Sequence, residues 1–227
     1  MKLYSGPLSL FTAKVRIALR EKGLDCDLWS VPFGRETGYD PKPADVVRLH
    51  PQALVPILVD GDLVVYDSTR IFEYLEERNP SPPLYPDGLE DRARCRELEA
   101  YGDEIFFPSV WTLIEQVFYR TEAGAGDAAL VETAQRAIHA DYERFDARLE
   151  GRDWFCDRFS VADISIFMGI NFASNLGCPP PEGRIALAAW LGRMNARPSV
   201  AVEVERMQAD VARVFAGETL EEGPRTL

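Results

Sequence analysis

Apolar positions along the chain follow two regimes. Up to about residue 79 they come in short clusters whose period keeps changing. Lys2-Leu3-Tyr4 reads as a short strand, and the turn residues of Ser5-Gly6-Pro7-Leu8-Ser9 read as a loop. From about Phe11 to Lys22 the spacing becomes helical, with Val15, Ala18, Leu19 and Lys22 marking the inner face and its edge and Gly23 as the expected stop. Cys26 to Val31 alternates weakly as a second strand, and Gly34, Gly38 and Pro41 mark the loop between Pro32 and Lys42. Pro43 suits the first turn of a brief helix to Leu49, which His50-Pro51 ends.

Leu54 to Ile71 organises this first part. Two strands, Ile57–Val59 and Leu63–Tyr66, are expected to join at Asp60-Gly61, a dipeptide that tolerates the positive φ of a tight hairpin. Asp67-Ser68 then stands where a helix N-cap belongs, with Ile71, Phe72 and Leu75 as the buried face behind it. A helix start of this kind presents free backbone N–H groups and a positive dipole end, which suit a carboxylate. Pro56 cannot donate to a sheet ladder. A cis peptide is expected before it, leaving the Val55 backbone free to pair with an extended ligand. The predicted order is β-α-β-α-β-β-α.

Four prolines within residues 79–88 prevent both helix and sheet, and residues 80–89 are read as a linker. Beyond it the pattern is helical throughout: Glu90 to Arg120, kinked at Pro108, then Asp127 to Leu149, Val161 to Leu176, Arg184 to Ala196 and Ser199 to Ala216. Gly124-Ala125-Gly126 separates the first two of these helices. Ser160-Val161-Ala162-Asp163 has the form of a capping box. A loose tail is expected from about residue 217, through Glu221-Glu222-Gly223-Pro224. The organisation predicted is an α/β domain over residues 1–79, a linker, and an all-α domain over residues 90–227.

Composition narrows the function. The 227 residues carry 25 Lys plus Arg against 37 Asp plus Glu, a formal charge of −12, which disfavours nucleic acid and anionic membrane surfaces as partners. The deficit is uneven: −2 over residues 1–79 and −10 over the rest, so the first domain is the part open to an anionic small molecule. No stretch approaches the roughly 20 apolar residues of a membrane span, and no basic, apolar leader opens the chain. A cytoplasmic protein is expected. Cys26, Cys95, Cys156 and Cys178 are scattered and only two histidines, His50 and His139, occur, so no metal site is predicted and the thiols are read as reduced and structural.

In this order the segments Ser9 to Gly23, Val55-Pro56 with Asp67-Ser68, and Ser160 to Asp163 resemble the cytosolic glutathione transferase family, of the bacterial serine type, over nearly the whole chain from Lys2 to about Phe215. The resemblance implies a thioredoxin-like first domain and an all-helical second one. It implies that glutathione, the co-substrate, lies extended on the first domain with its cysteinyl backbone against Val55 and its γ-glutamyl end at Asp67 and Ser68. Lys42 stands where related members hold the glycyl carboxylate. The pattern Ser-x-Phe-x-x-Lys-Val places the catalytic hydroxyl at Ser9, not at Tyr4, Ser5 or a cysteine. Leu54 stands where a long polar side chain often precedes Val-Pro, His50 where Asn is common, and Thr12-Ala13 where Ser-Arg is frequent.

A free thiol of pKa about 8.5 is only a few per cent ionised at neutral pH. A hydroxyl donating to the sulfur favours the thiolate, so Ser9 is expected as a hydrogen-bond donor to glutathione, not as a nucleophile. The second substrate, an electrophilic small hydrophobic molecule, is expected between the domains against the first long helix. Its pocket is assigned to Phe11, Phe107, Trp111 and Tyr119, with Phe106 and Phe118 as further aromatic candidates. The resemblance also implies a two-fold homodimer. Isomerase, dehalogenase and β-etherase chemistry would share the same residues, and stringent-starvation or elongation-factor relatives keep the fold as a non-catalytic scaffold.

Overall fold

A computed structural model describes residues 1–120, 126–221 and 225–227. In chain order its elements are β1 Lys2–Ser5, α1 Leu10–Glu21, β2 Asp27–Ser30, α2 Ala44–Leu49, β3 Ile57–Asp60, β4 Leu63–Tyr66, α3 Ser68–Arg78, α4 Leu89–Ala100, α5 Phe107–Leu113, α6 Ala128–Leu149, α7 Val161–Asn175, α8 Ile185–Asn195, α9 Pro198–Phe215 and β5 Arg225–Thr226. They form two compact units, residues 1–83 with 198–227, and residues 84–197.

The first unit is built on a sheet of order β4-β3-β1-β2-β5, in which only β1 and β2 are parallel. Helix α1 makes the crossover that a parallel pair requires. Tyr4, Val31, Val46 and Ile57 form a cluster on one face of the sheet, with Tyr39, Leu49 and Val55 packed against it. The Tyr4 hydroxyl donates to Asp45 on α2 at 2.8 Å. Because side chains alternate along a strand, Leu3 turns to the opposite face. Helix α1 has no polar face: Leu10 and every residue from Thr12 to Leu19 are buried, including Lys14 and Arg16, so the one-sided pattern read from sequence is too narrow. Gly23, at φ +61°, stops the helix as expected. The hairpin turns on Gly61-Asp62, with Gly61 at φ +59°, one residue later than Asp60-Gly61.

The C-terminal residues depart most from the sequence reading. Helix α9, grouped there with the helical domain, belongs to the first unit. Arg16 of α1 holds the Glu203 carboxylate of α9 through Nε, at 2.9 and 3.0 Å, and through Nη2, while Arg20 adds a contact at 2.8 Å. All of these groups but Arg20 are fully buried. Beyond α9 the described residues are tied to the sheet unit. Leu220 is fully buried and bridges Phe33, β5 pairs with β2, and Leu227 N–H donates to Cys26 O at 2.9 Å. The 222–224 stretch of the expected tail, and residues 124 and 125 of the expected break, lie outside the described residues.

In the second unit the expected first helix is subdivided. Helix α4 passes into a wider π-helical stretch at Tyr101–Phe106, then α5, then a second π-helical stretch at Ile114–Tyr119. Pro108 stands in the first turn of α5, where its missing N–H is harmless, so the change of helix type falls just ahead of it. Phe106 is fully buried, with Phe145 at 5.3 Å and Tyr142 at 6.2 Å between ring centres, which makes it core and not a pocket wall. It packs so closely on α7 that a Cβ at Gly169 would lie 2.6 Å from its ring.

The capping box forms, and its acid does more than cap. Asp163 accepts from Ser160 N–H and Oγ, Phe155 N–H and Trp190 Nε1–H, at 2.8–3.1 Å. Burial pushes its carboxyl up to about 6 against the pull of these donors.

Candidate functional site

Strand register alone gathers most of the predicted site at one end of the sheet. Ile57 lies opposite both Tyr4 on β1 and Tyr66 on β4. The next residues outward are therefore Ser5 on β1, Pro56 before β3 and Asp67 after β4, side by side. With strands about 4.8 Å apart, the row spans about 10 Å, the length of an extended tripeptide.

At one end of the row, Ser9 caps α1: its Oγ accepts from Thr12 N–H at 3.2 Å, and its own proton stays available to donate. The loop carrying it is fixed from below. Arg16 Nη1 donates to Ser5 Oγ at 2.6 Å and to Gly6 O at 3.2 Å, and Ser9 N–H donates to the same carbonyl. Gly6 is required sterically, since a Cβ there would stand 2.8 Å from the Tyr39 hydroxyl and 2.9 Å from Ser9 Cβ. Tyr4 donates its hydroxyl proton to Asp45 and Ser5 is buried against Arg16, whereas Ser9 is half-exposed.

In the middle of the row the Val55-Pro56 peptide is cis, as expected. The bonds before Pro41 and Pro82 are cis as well, which the sequence reading did not foresee. Val55 packs its side chain into the cluster under α2, and among the described residues its N–H and C=O have no protein partner. Leu54 beside it is 49% exposed.

At the far end Asp67 is the N-cap of α3, its Oδ1 accepting from Thr69 N–H at 3.0 Å and Arg70 N–H at 3.2 Å. It holds φ +72°, ψ 131°, a conformation costing a non-glycine residue about 1–3 kcal/mol and found mostly where a site demands it. Asp67 bypasses the first N–H of the helix. Ser68 N–H and Oγ therefore have no protein partner among the described residues, at a positive helix end.

His50 lies among these groups. Burial lowers its pKa, the Lys42 charge lowers it further and Asp67 opposes, which puts Lys42 at the same end of the unit. Gln52 N–H donates to His50 Nδ1 at 3.0 Å, and the ring lies 4.5 Å from Tyr66. Phe11 follows Ser9 on α1, with Lys14 Nζ 5.5 Å from its ring. On the helical unit Phe107 and Trp111 are neighbours, with ring centres 6.2 Å apart, and Trp111 and Tyr119 are 43% and 38% exposed. Sequence reasoning missed the Arg16–Glu203 support under Ser9. A buried-position Arg in α1 was the only local signal, and its partner stands far along the chain.

Comparison with known proteins agrees with this fold. The model of the glutathione S-transferase N-terminal domain matches residues 3–83, and that of the C-terminal domain matches residues 100–198. Glutathione S-transferase 3 of Zea mays is 31% identical over 208 residues, 88% of this chain and 90% of that protein. The chain belongs to the glutathione S-transferase family. Within it, the chain is also similar to a maleylpyruvate isomerase of Ralstonia, 34% identical over 170 residues, 72% of this chain and 77% of that protein. A stringent starvation protein A homolog of Coxiella burnetii is 42% identical over 110 residues, 48% of this chain and half of that protein. A Methylobacterium radiotolerans glutathione S-transferase, solved in complex with glutathione sulfonate, superposes with a TM-score of 0.73 at 31% identity, over 89% of this chain and 93% of that one. The transferase fold, a thioredoxin-like sheet domain followed by a helical one, is the fold described above. No described helix is long and apolar enough to cross a membrane.

Proposed function

We propose that this family member binds glutathione across the row from Ser9 to Ser68 and transfers its sulfur to an electrophilic, largely apolar small molecule. The observation that carries the reading is the spacing of unpartnered groups along one extended tripeptide's length. Val55 offers a backbone N–H and C=O to the cysteinyl unit, Ser68 N–H and Oγ receive the γ-glutamyl carboxylate at a helix start, and the Asp67 oxygen not used for capping faces the α-ammonium. Lys42 takes the glycyl carboxylate.

Ser9 acts by donating to the sulfur. Its oxygen is already an acceptor for Thr12 N–H, which leaves the hydroxyl proton for an anion. The Tyr4 hydroxyl gives its proton to Asp45 and Ser5 is buried against Arg16, whereas Ser9 is half-exposed, which supports Ser9 over both. The thiolate then attacks the acceptor's electrophilic carbon, with proximity supplying much of the rate. Phe11, two residues beyond Ser9 on α1 and only partly buried, borders the acceptor in this reading. A panel of activated aryl halides, epoxides and conjugated alkenes, assayed for glutathione-dependent loss, tests it: turnover with glutathione consumed in equal amount is expected, and no turnover with any acceptor refutes transfer.

A second reading is favoured by the similarity to maleylpyruvate isomerase over most of both chains. A thiolate that adds to a cis alkene and leaves again rotates the bond and returns glutathione unchanged. The same panel separates the two, since isomerisation proceeds at catalytic glutathione and consumes none.

A further inference from the structure

One histidine holds the turn that leads to Val55. His50 closes α2 with its own N–H, which donates to Val46 O at 3.1 Å, and its carbonyl accepts from Ala53 N–H at 2.9 Å. Its ring adds a third bond: Gln52 N–H donates to Nδ1 at 3.0 Å. Because that donor is a backbone amide, Nδ1 must present a lone pair, so the turn as folded needs a neutral imidazole. Ala53, within the turn, holds φ +51°, a left-handed conformation that a residue with a Cβ keeps only where its surroundings impose it. Ala53 and Val55 then pack their side chains on the sheet cluster. The ring is 8% exposed and lies against Tyr66, the last residue of β4 and the neighbour of Asp67. One imidazole thus touches both the turn before Val55 and the strand before Asp67.

We propose that His50 is a positioning residue for glutathione: its neutral ring holds the Gln52 amide, and with it the Val55 backbone, in register for the peptide, and its protonation releases both and weakens binding. This rests on the glutathione reading given above. Protonation places a hydrogen on Nδ1 opposite the Gln52 N–H, so an acceptor becomes a second donor and the bond is lost. The charges acting on the ring are Lys42, ahead of α2, which disfavours the imidazolium, and Asp67, which favours it. Asp45 and Arg48 on α2 are paired with each other, and Asp45 also accepts from Tyr4. Burial first, and then Lys42, hold the ring below the ordinary histidine range, so it is neutral at neutral pH and the release falls on the acid side. Only the neutral form presents Val55 correctly. Affinity is therefore full above the pKa of the free chain and falls as pH drops through it, by at most about tenfold per pH unit.

S-methylglutathione is titrated calorimetrically into the full-length chain between about pH 5 and about pH 7.5, where its carboxyls, of pKa about 3.5, stay ionised and it has no thiol to ionise. The expected result is a loss of about three- to tenfold in affinity from the top of that range to the bottom. In His50→Asn the side-chain oxygen accepts from the same N–H two residues on without titrating, so its affinity should not change with pH. His50→Ala has no acceptor and should bind more weakly than His50→Asn at about pH 7.5. If it fails to fold, the other two proteins decide. The ligand-free chain gives a second readout: in proton–nitrogen correlation spectra the Gln52 and Val55 amides should shift together with the His50 ring as pH falls, and should stay in place in His50→Asn. A wild-type affinity that is level with pH, that rises as pH falls, or that falls equally in His50→Asn overturns the proposal. Binding at no pH overturns the glutathione reading and so the ligand of this switch, while the amide shifts still decide whether His50 works the turn.

Discussion

If Ser9 acts as proposed, replacing it by Ala removes two things at once, and they can be measured separately. As the α1 cap, Ser9 accepts from Thr12 N–H, and its loss costs about 0.5–2 kcal/mol of stability. As a donor to a thiolate, its hydrogen bond to a charged group is worth about 1.5–3 kcal/mol, or roughly one to two pKa units. A thiol of pKa about 8.5 is about 3% ionised at pH 7, and one held between about 6.5 and 7.5 is about 25–75% ionised. The variant should therefore lose about tenfold in kcat/KM at pH 7. The deficit should shrink steadily with rising pH, because above about pH 9 the thiol ionises without help. Pre-steady-state turnover from pH 6 to 10, with an ultraviolet titration of the bound thiolate, measures both. A stability loss with an unchanged thiol pKa and an unchanged pH profile would reduce Ser9 to a helix cap.

Other predictions concern what supports the site. Glu203→Ala leaves Arg16 as an uncompensated buried charge and should cost about 3–5 kcal/mol in urea unfolding. Because Arg16 also holds Ser5 and Gly6, the loss of kcat should exceed the loss of glutathione affinity, and equal losses would show that the loop carrying Ser9 stayed in place. Burial works against the Glu203 carboxylate, but Arg16 and Arg20 outweigh it and hold it below the ordinary range. Its contribution is therefore present above the unfolded-state pKa and is lost as pH falls through the folded one. Asp163 has the opposite sign. With its carboxyl at about 6 in the fold, against 3.8 in the unfolded chain, the folded state binds the proton more tightly, so stability falls by about 3 kcal/mol between about pH 4 and pH 6 and is level above. Asp163→Ala strands three buried N–H donors at about 1–3 kcal/mol each and recovers about 3 kcal/mol from the buried charge, so a net loss of about 3 kcal/mol at pH 7 is expected. That slope should also disappear from its pH–stability curve, and a retained slope would assign it to another group.

Features encoded within a few residues were legible in the sequence. Gly61, the Asp67 cap, the helix behind it and the Ser160–Asp163 box all fell within a residue of their predicted places, because turn chemistry and helical period act locally. Features that depend on distant partners were not. Two residues of β5 carry no period, and only the pairing with β2 makes them a strand. Helix α9 looks like any amphipathic helix until Glu203 is seen to meet Arg16, so the sequence grouped it with the wrong unit. Phe106 and Trp111 share an aromatic pattern in which nothing local tells core from surface. The positive φ of Asp67 was hidden for a related reason: its cost is tolerated only because the hairpin and α3 fix both sides of it.

In the proposed function a tripeptide is held along the row with its γ-glutamyl end at Asp67 and Ser68. Isothermal titration of the wild-type chain with glutathione, and with cysteinylglycine, which has the sulfur but not that end, tests it most directly. Measurable glutathione binding is expected, with at least about tenfold weaker binding of cysteinylglycine, the loss of one or more charge-assisted hydrogen bonds. Equal affinity for the two, or no affinity for glutathione, would contradict it.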